Sequence, residues 1–119
     1  MKKIFIIEDD PEIRGLYQII FNGLGFNIVG MAEDGQVAVD MFKAMLEKPD
    51  LIIMDYRMPR KNGIEASIEI LQIDREAKIL FATADNEVRK QAKSIGVAGF
   101  IKKPFRLEEL MNDIKSVLN

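Results

Sequence analysis

The chain contains neither cysteine nor histidine. Without cysteine there is no disulfide framework, which fits a reducing, intracellular setting. Without either residue, zinc and other metals that prefer nitrogen or sulfur lose their usual ligands. A bound cation should then be a hard one held by oxygen. The missing histidine also removes a common general base and any phosphoryl carriage on an imidazole. Lysine and arginine form no single block, and the net charge is −2 with a pI near 5.2, which argues against nucleic-acid binding by this chain alone. The apolar stretch after the basic start Met1-Lys2-Lys3 is four residues long, too short for a signal peptide or a membrane span. No Gly/Ser/Pro-rich linker, repeat or low-complexity segment interrupts the chain. The expectation is one cytoplasmic domain over residues 1–119, with 48% hydrophobic residues able to form a core without staples.

What is present is an alternation of strand and helix patterns from end to end. Ile4-Phe5-Ile6-Ile7 is a continuous run of β-branched and aromatic residues, the pattern of a strand buried on both faces. Phe26–Met31, Leu51–Met54, Lys78–Thr83 and Ala98–Lys102 predict four more strands. Helical spacing follows each of the five. Asp10-Pro11 starts a helix with Ile13, Leu16, Tyr17, Ile20 and Leu24 at helical spacing, ending near Gly23 and Gly25. Asp34-Gly35 precedes a second, with Val37, Met41, Phe42 and Met45. A loop from Tyr56 to Gly63 leads into a helix from about Ile64 to Asp74. Asp85 caps a fourth with Val88, Ala92 and Ile95, stopping at Gly96, and Leu107–Leu118 forms the last. Five such units imply an α/β fold with a mainly parallel sheet, right-handed crossovers and helices on both faces.

In open sheets of this kind ligands bind beyond the carboxyl ends of the strands. The runs end in Glu8-Asp9-Asp10, Asp34, Asp55, Thr83 and Lys102-Lys103-Pro104, which brings several carboxylates, a hydroxyl and an ammonium toward one edge. Clustered like charges are costly unless a cation sits among them, so the set points to a metal ion and an anionic substrate. Asp10 reads as a helix cap. Asp55 ends an apolar strand without a helix to cap, and an ionised carboxylate can accept a phosphoryl group directly. Lys102 and Lys103 alternate across their strand, and spacing alone does not choose between them. Phosphoryl transfer needs little beyond alignment and charge neutralisation around the moving group, which this set would supply.

The chain resembles the receiver (phosphoacceptor) domain of two-component response regulators over essentially its full length. The motifs are Ile6-Ile7-Glu8-Asp9-Asp10 with Arg14, Met54-Asp55-Tyr56-Arg57-Met58-Pro59 with Asn62-Gly63, Ala82-Thr83-Ala84, and Lys103-Pro104-Phe105. The resemblance implies a flavodoxin-like (βα)5 doubly wound sandwich with strand order 2-1-3-4-5. It implies Mg²⁺ held by Asp9 directly, by Glu8 through water, by Asp55 and by the backbone carbonyl of Arg57. Asp55 would be the phosphorylated residue, Lys103 its ion-pairing lysine and Thr83 the hydroxyl that follows the phosphoryl group. Phe100 takes the place of the aromatic switch, against a plainer reading as a core aromatic on an edge strand. The Lys103-Pro104 bond is often cis in the family. Glu8 stands where aspartate is commoner, and Phe100 lacks a hydroxyl.

The implied function is a phosphorylation-activated switch in a two-component phosphorelay. A histidine kinase or histidine phosphotransfer protein would donate to Asp55, and the face of the fourth helix, fifth strand and fifth helix would shift. If the chain is the whole protein, output runs through a non-covalent downstream partner; if it is an excised domain, the output domain is missing. Arg57 and Asp85 should rim the pocket, where an ion pair between them would hinder the attacking water. The alternative is a phosphorylation-independent interaction domain of the same fold, although those typically lack the acceptor or the lysine. A flavin module would want a hydroxyl- and glycine-rich phosphate loop in place of Glu8-Asp9-Asp10-Pro11, and an Asp-nucleophile phosphatase would want an acid at Arg57.

Overall fold

The computed structural model describes residues 2–118; Met1 and Asn119, the ends of the expected domain, lie outside the described residues. Ten elements alternate along the chain. The strands are β1 (Lys3–Ile7), β2 (Asn27–Ala32), β3 (Leu51–Asp55), β4 (Ile79–Thr83) and β5 (Gly99–Lys102). The helices are α1 (Pro11–Gly23), α2 (Gly35–Ala44), α3 (Gly63–Ile73), α4 (Asn86–Ile95) and α5 (Leu107–Leu118). The strands form one parallel sheet in the order β2-β1-β3-β4-β5, as expected for a doubly wound α/β fold.

The strand alternation splits the core into two layers. Phe5, Ile7, Ile52, Met54, Ile79 and Phe81 face one side, covered by Ala38, Val39 and Phe42 of α2, Ala66 and Ile70 of α3, and Val88 and Ala92 of α4. Ile4, Ile6, Leu51, Ile53, Leu80, Ala82 and Ile101 face the other, covered by Tyr17 and Phe21 of α1 and by Leu110 and Ile114 of α5. Every residue of β3 is buried, which explains its unbroken apolar run up to Asp55. Burying one such large side chain contributes roughly 1.5–3 kcal/mol, so the central strands anchor the chain's geometry.

Helix starts follow their caps. The Asp10 carboxylate accepts from Glu12 N and Ile13 N, Asp34 from Val37 N, and Asp85 from Glu87 N and Val88 N. Asn62 and Glu65 form a reciprocal capping box at α3. β2 begins one residue later than the sequence pattern suggests, at Asn27. Phe26 instead closes the end of α1, its N–H donating to Phe21 O at 2.9 Å while its ring meets Phe21 edge-on. Among the described residues no helix is long and apolar enough to cross a membrane.

Candidate functional site

Order 2-1-3-4-5 reverses direction between β1 and β3, and a cleft of about 680 Å³ opens at their carboxyl ends. Glu8, Asp9, Asp55, Arg57, Thr83, Asp85 and Lys103 all line it. One ligand oxygen each from Glu8, Asp9 and Asp55 lies within 4.8 Å of the others. Glu8 and Asp55 are 1% and 7% exposed, whereas Asp9 is exposed. Two buried carboxylates side by side need a counter-charge, and Lys103 supplies one. Its Nζ donates to Glu8 Oε1 at 2.9 Å and to Asp55 Oδ1 at 2.8 Å.

The titration behaviour follows from this arrangement. Burial first, and the Asp55 charge second, push the Glu8 carboxyl from 4.5 up to about 7, against the lowering effect of the Lys103 hydrogen bond. Burial works to lower Lys103, but its hydrogen bonds to Asp55 and Glu8 outweigh that and hold the ammonium above its usual range. One ammonium shared by two carboxylates leaves the site short of positive charge. Oxygen-only donors with excess negative charge are the set a small hard divalent ion takes, so the residues fit Mg²⁺.

Local structure sets each group in place. Glu8 follows β1, where its N–H donates to Ala32 O of β2 at 3.0 Å. Arg14, one turn into α1, donates from Nη1 to Glu8 O at 2.7 Å and Asp9 O at 3.3 Å, tying the acidic turn to the helix. Thr83 ends β4; its Oγ1 accepts from Asp85 N at 3.1 Å, and its carbonyl accepts from Lys103 N at 3.3 Å. Lys103 follows β5 and enters a cis bond to Pro104, while Lys102 is exposed. The choice that strand alternation left open is therefore Lys103. Phe100 is half-buried against the α4 side of the core, with the Arg89 guanidinium 4.6 Å above its ring centroid.

One strand-end carboxylate lies apart, and one expectation at the rim needs correction. Asp34 does not enter the cleft: it is 3% exposed, caps α2, and its Oδ2 pairs with Arg60 Nη2 at 3.1 Å. β2 is the outermost strand on that side, so its end lies away from the reversal between β1 and β3. The expected Arg57–Asp85 ion pair is also not formed among the described residues. Both line the cleft, but the Asp85 carboxylate accepts from Glu87 N at 2.8 Å and Val88 N at 3.3 Å as the cap of α4. That bond set and the positive end of the helix hold it against an exposed guanidinium worth about 0–1 kcal/mol.

Sequence reading missed the contacts that hold the loop after Asp55. Gly63 N donates to Tyr56 O at 2.8 Å, and a Cβ on Gly63 would lie 2.0 Å from Asp55 O. Gly35 N donates to Lys61 O at 3.1 Å, again with space only for glycine. The Asn62-Gly63 pair signalled a turn, but which backbone it would press against is a property of the folded state.

Fold and cleft together define a doubly wound α/β domain with a cation-ready carboxylate pocket at its strand reversal. The family model described as response regulator receiver domain matches residues 4–115, and the chain belongs to that family. It is 36% identical over 119 residues to the chemotaxis protein CheY of Halobacterium salinarum, covering 98% of this chain and 97% of that one. It is 33% identical over 120 residues to protein CcdB of Bacillus subtilis, covering 99% and 98%. The transcriptional regulatory protein PdtaR of Mycobacterium tuberculosis is 38% identical over 116 residues, 96% of this chain but 55% of that protein. Among solved structures, the CheX–CheY–BeF3–Mg²⁺ complex from Borrelia burgdorferi superposes with a TM-score of 0.94 at 27% identity, covering 99% of this chain and 90% of that one. The response regulator TrrA of Thermotoga maritima, in complex with Mg²⁺–BeF, gives 0.88 at 32% identity, covering 99% and 100%. Receiver domains are regulatory switches of two-component signalling that bind Mg²⁺ at an acidic site and interact with kinases and downstream targets.

Proposed function

We propose that this chain is a phosphorylation-activated switch in a cytoplasmic two-component phosphorelay, with Asp55 as the phosphoacceptor. The observation that carries this reading is the Lys103 bridge between Asp55 and Glu8 inside a cleft where three carboxylates converge. A phosphohistidine on a histidine kinase or histidine phosphotransfer protein is the donor. An Asp55 carboxylate oxygen forms the new bond to phosphorus while the bond from phosphorus to the histidine nitrogen breaks; a proton on the other ring nitrogen lets the donor depart as a neutral imidazole. Lys103 aligns Asp55 beforehand and its ammonium then pairs with a phosphoryl oxygen.

Glu8, Asp9, Asp55 and the Arg57 carbonyl are the groups that would hold Mg²⁺. When bound, the ion offsets the charge of the carboxylates and of the phosphoryl oxygens. Thr83 Oγ1, engaged only with its own turn, is free to donate to a phosphoryl oxygen beside it. That movement vacates space next to Phe100 and biases the face made by α4, β5 and α5, through which a downstream protein or an output domain is controlled. Water later attacks phosphorus, releases phosphate and returns Asp55 to its carboxylate.

The test is incubation with Mg²⁺ and a small acyl-phosphate donor, followed by intact mass of wild type and Asp55→Asn. Addition of one phosphoryl group to wild type alone is the expected result; addition to both proteins places the acceptor elsewhere.

A further inference from the structure

The segment between Asp55 and α3 is held in an unusual shape. Arg60 has φ 66°, the only non-glycine in the left-handed region among the described residues, and Lys61 N donates to Pro59 O across it at 2.7 Å. A hydrogen bond from residue i+2 to residue i about a positive-φ centre is a strained γ-turn, which persists only where its surroundings over-determine it. Those surroundings belong to α2. Arg60 donates from Nε at 3.2 Å to Asp34 Oδ2, a carboxylate with a 5% exposed side chain, and its Nη2 forms an ion pair with the same oxygen at 3.1 Å, while Lys61 O receives the Gly35 N–H. The Asp34 Oδ1 at the same time caps α2 through Val37 N at 2.9 Å.

We propose that the Asp34–Arg60 pair is a positioning clamp for the phosphoryl loop: it keeps the strained turn closed, and so keeps the Arg57 carbonyl, three residues before Arg60, aimed into the cleft for the metal. The inference rests on the reading of Arg57 as a metal-binding carbonyl. Neither clamp residue lines the cleft. With the pair broken, Arg60 relaxes toward ordinary backbone and the competent loop becomes a fraction of the ensemble. Apparent Mg²⁺ affinity falls by the inverse of that fraction.

Simple charge effects predict something different. Removing the Arg60 guanidinium makes the neighbourhood more negative and should tighten a cation, whereas neutralising Asp34 should loosen it. The clamp predicts weakening by both.

The experiment is a Mg²⁺ titration followed by fluorescence of Tyr56, which lines the cleft next to Asp55. Arg60→Met keeps a side chain, and so the strain, at φ 66° while removing the guanidinium; Asp34→Asn keeps an acceptor for Val37 N and removes the charge. Each is expected to raise the Mg²⁺ dissociation constant on the order of threefold to tenfold, and the double variant no more than the weaker-binding single. In the metal-free state, exchange of the Gly35 amide hydrogen should quicken in both singles. Tighter binding by Arg60→Met, or additive losses in the double variant, would overturn the clamp. Singles that match wild type while Asp9→Asn loses Mg²⁺ would overturn the clamp and leave the metal site standing. A wild type that takes up no Mg²⁺ would remove both.

Discussion

The two rims of the cleft are built on opposite plans. The loop from Asp55 to α3 is fastened throughout: Gly63 lies against the Asp55 carbonyl, Asn62 and Glu65 cap α3 reciprocally, Gly35 holds Lys61, Asp34 holds Arg60, and Lys61 pairs with Glu69. Across the cleft the β4–α4 loop and β5 are held lightly. Thr83 Oγ1 accepts one N–H, Ala84, Asp85 and Asn86 are exposed, α4 buries only Val88 and Ala92, and β5 is a four-residue edge strand. On the proposed function, the contrast assigns the response to the lightly held rim. A phosphorylated carboxylate needs one wall that keeps its geometry and another that can respond, and local stability scales with buried contacts and satisfied backbone.

The sharpest way to break the comparison is on the fastened side. Gly63→Ala sets a methyl where 2.0 Å separates it from Asp55 O, so the loop must move as a whole. A loss of at least about 4 kcal/mol in urea unfolding is expected, and a loss under about 1 kcal/mol would mean this rim is softer than its contacts imply. Lys103→Met comes next. It leaves Glu8 and Asp55 facing each other without an ammonium, which should cost about 2–4 kcal/mol without metal, and saturating Mg²⁺ should recover part of that.

The Glu8 carboxyl, pushed up to about 7 against 4.5, gives a pH signature of the cleft floor. Between those values the metal-free folded chain keeps a proton that the unfolded chain releases. Stability therefore falls as pH rises from about 4.5 to about 7 and levels off above it. Melting curves from pH 5 to 8 in chelator should show this fall, and Glu8→Gln should flatten it. The smallest effect lies on the light side. Arg89→Ala removes the cation–π contact with Phe100, worth about 0.5–1 kcal/mol, and should leave Mg²⁺ affinity unchanged. It should also raise the Asp113 carboxyl further. Burial and then Glu109 already lift that carboxyl while Arg89 opposes them, and carboxyl NMR titration reads the change.

The alternation of apolar runs and amphipathic stretches specified the elements, because a period near two or 3.6 is a local property that burial amplifies. β1, β3 and α5 were legible for that reason, and strand-end carboxylates beside apolar runs announced the cleft. Asp34 was legible as the residue before the second helix but not as the partner of Arg60, which is 26 residues away. The absent Arg57–Asp85 pair marks the same limit: both residues line the cleft, but competition from two helix N–H groups is invisible in spacing.

By itself, then, the sequence determined which residues alternate, where helices begin, and that hard oxygen donors gather at one sheet edge. Tertiary structure alone decided that Lys103 rather than Lys102 bridges the carboxylates, that Glu8 holds its proton toward neutrality, and that α2 braces the loop after Asp55. Periodicity and capping act within a few residues of chain, whereas desolvation and ion pairing depend on distances across it that exist only once the sheet has closed.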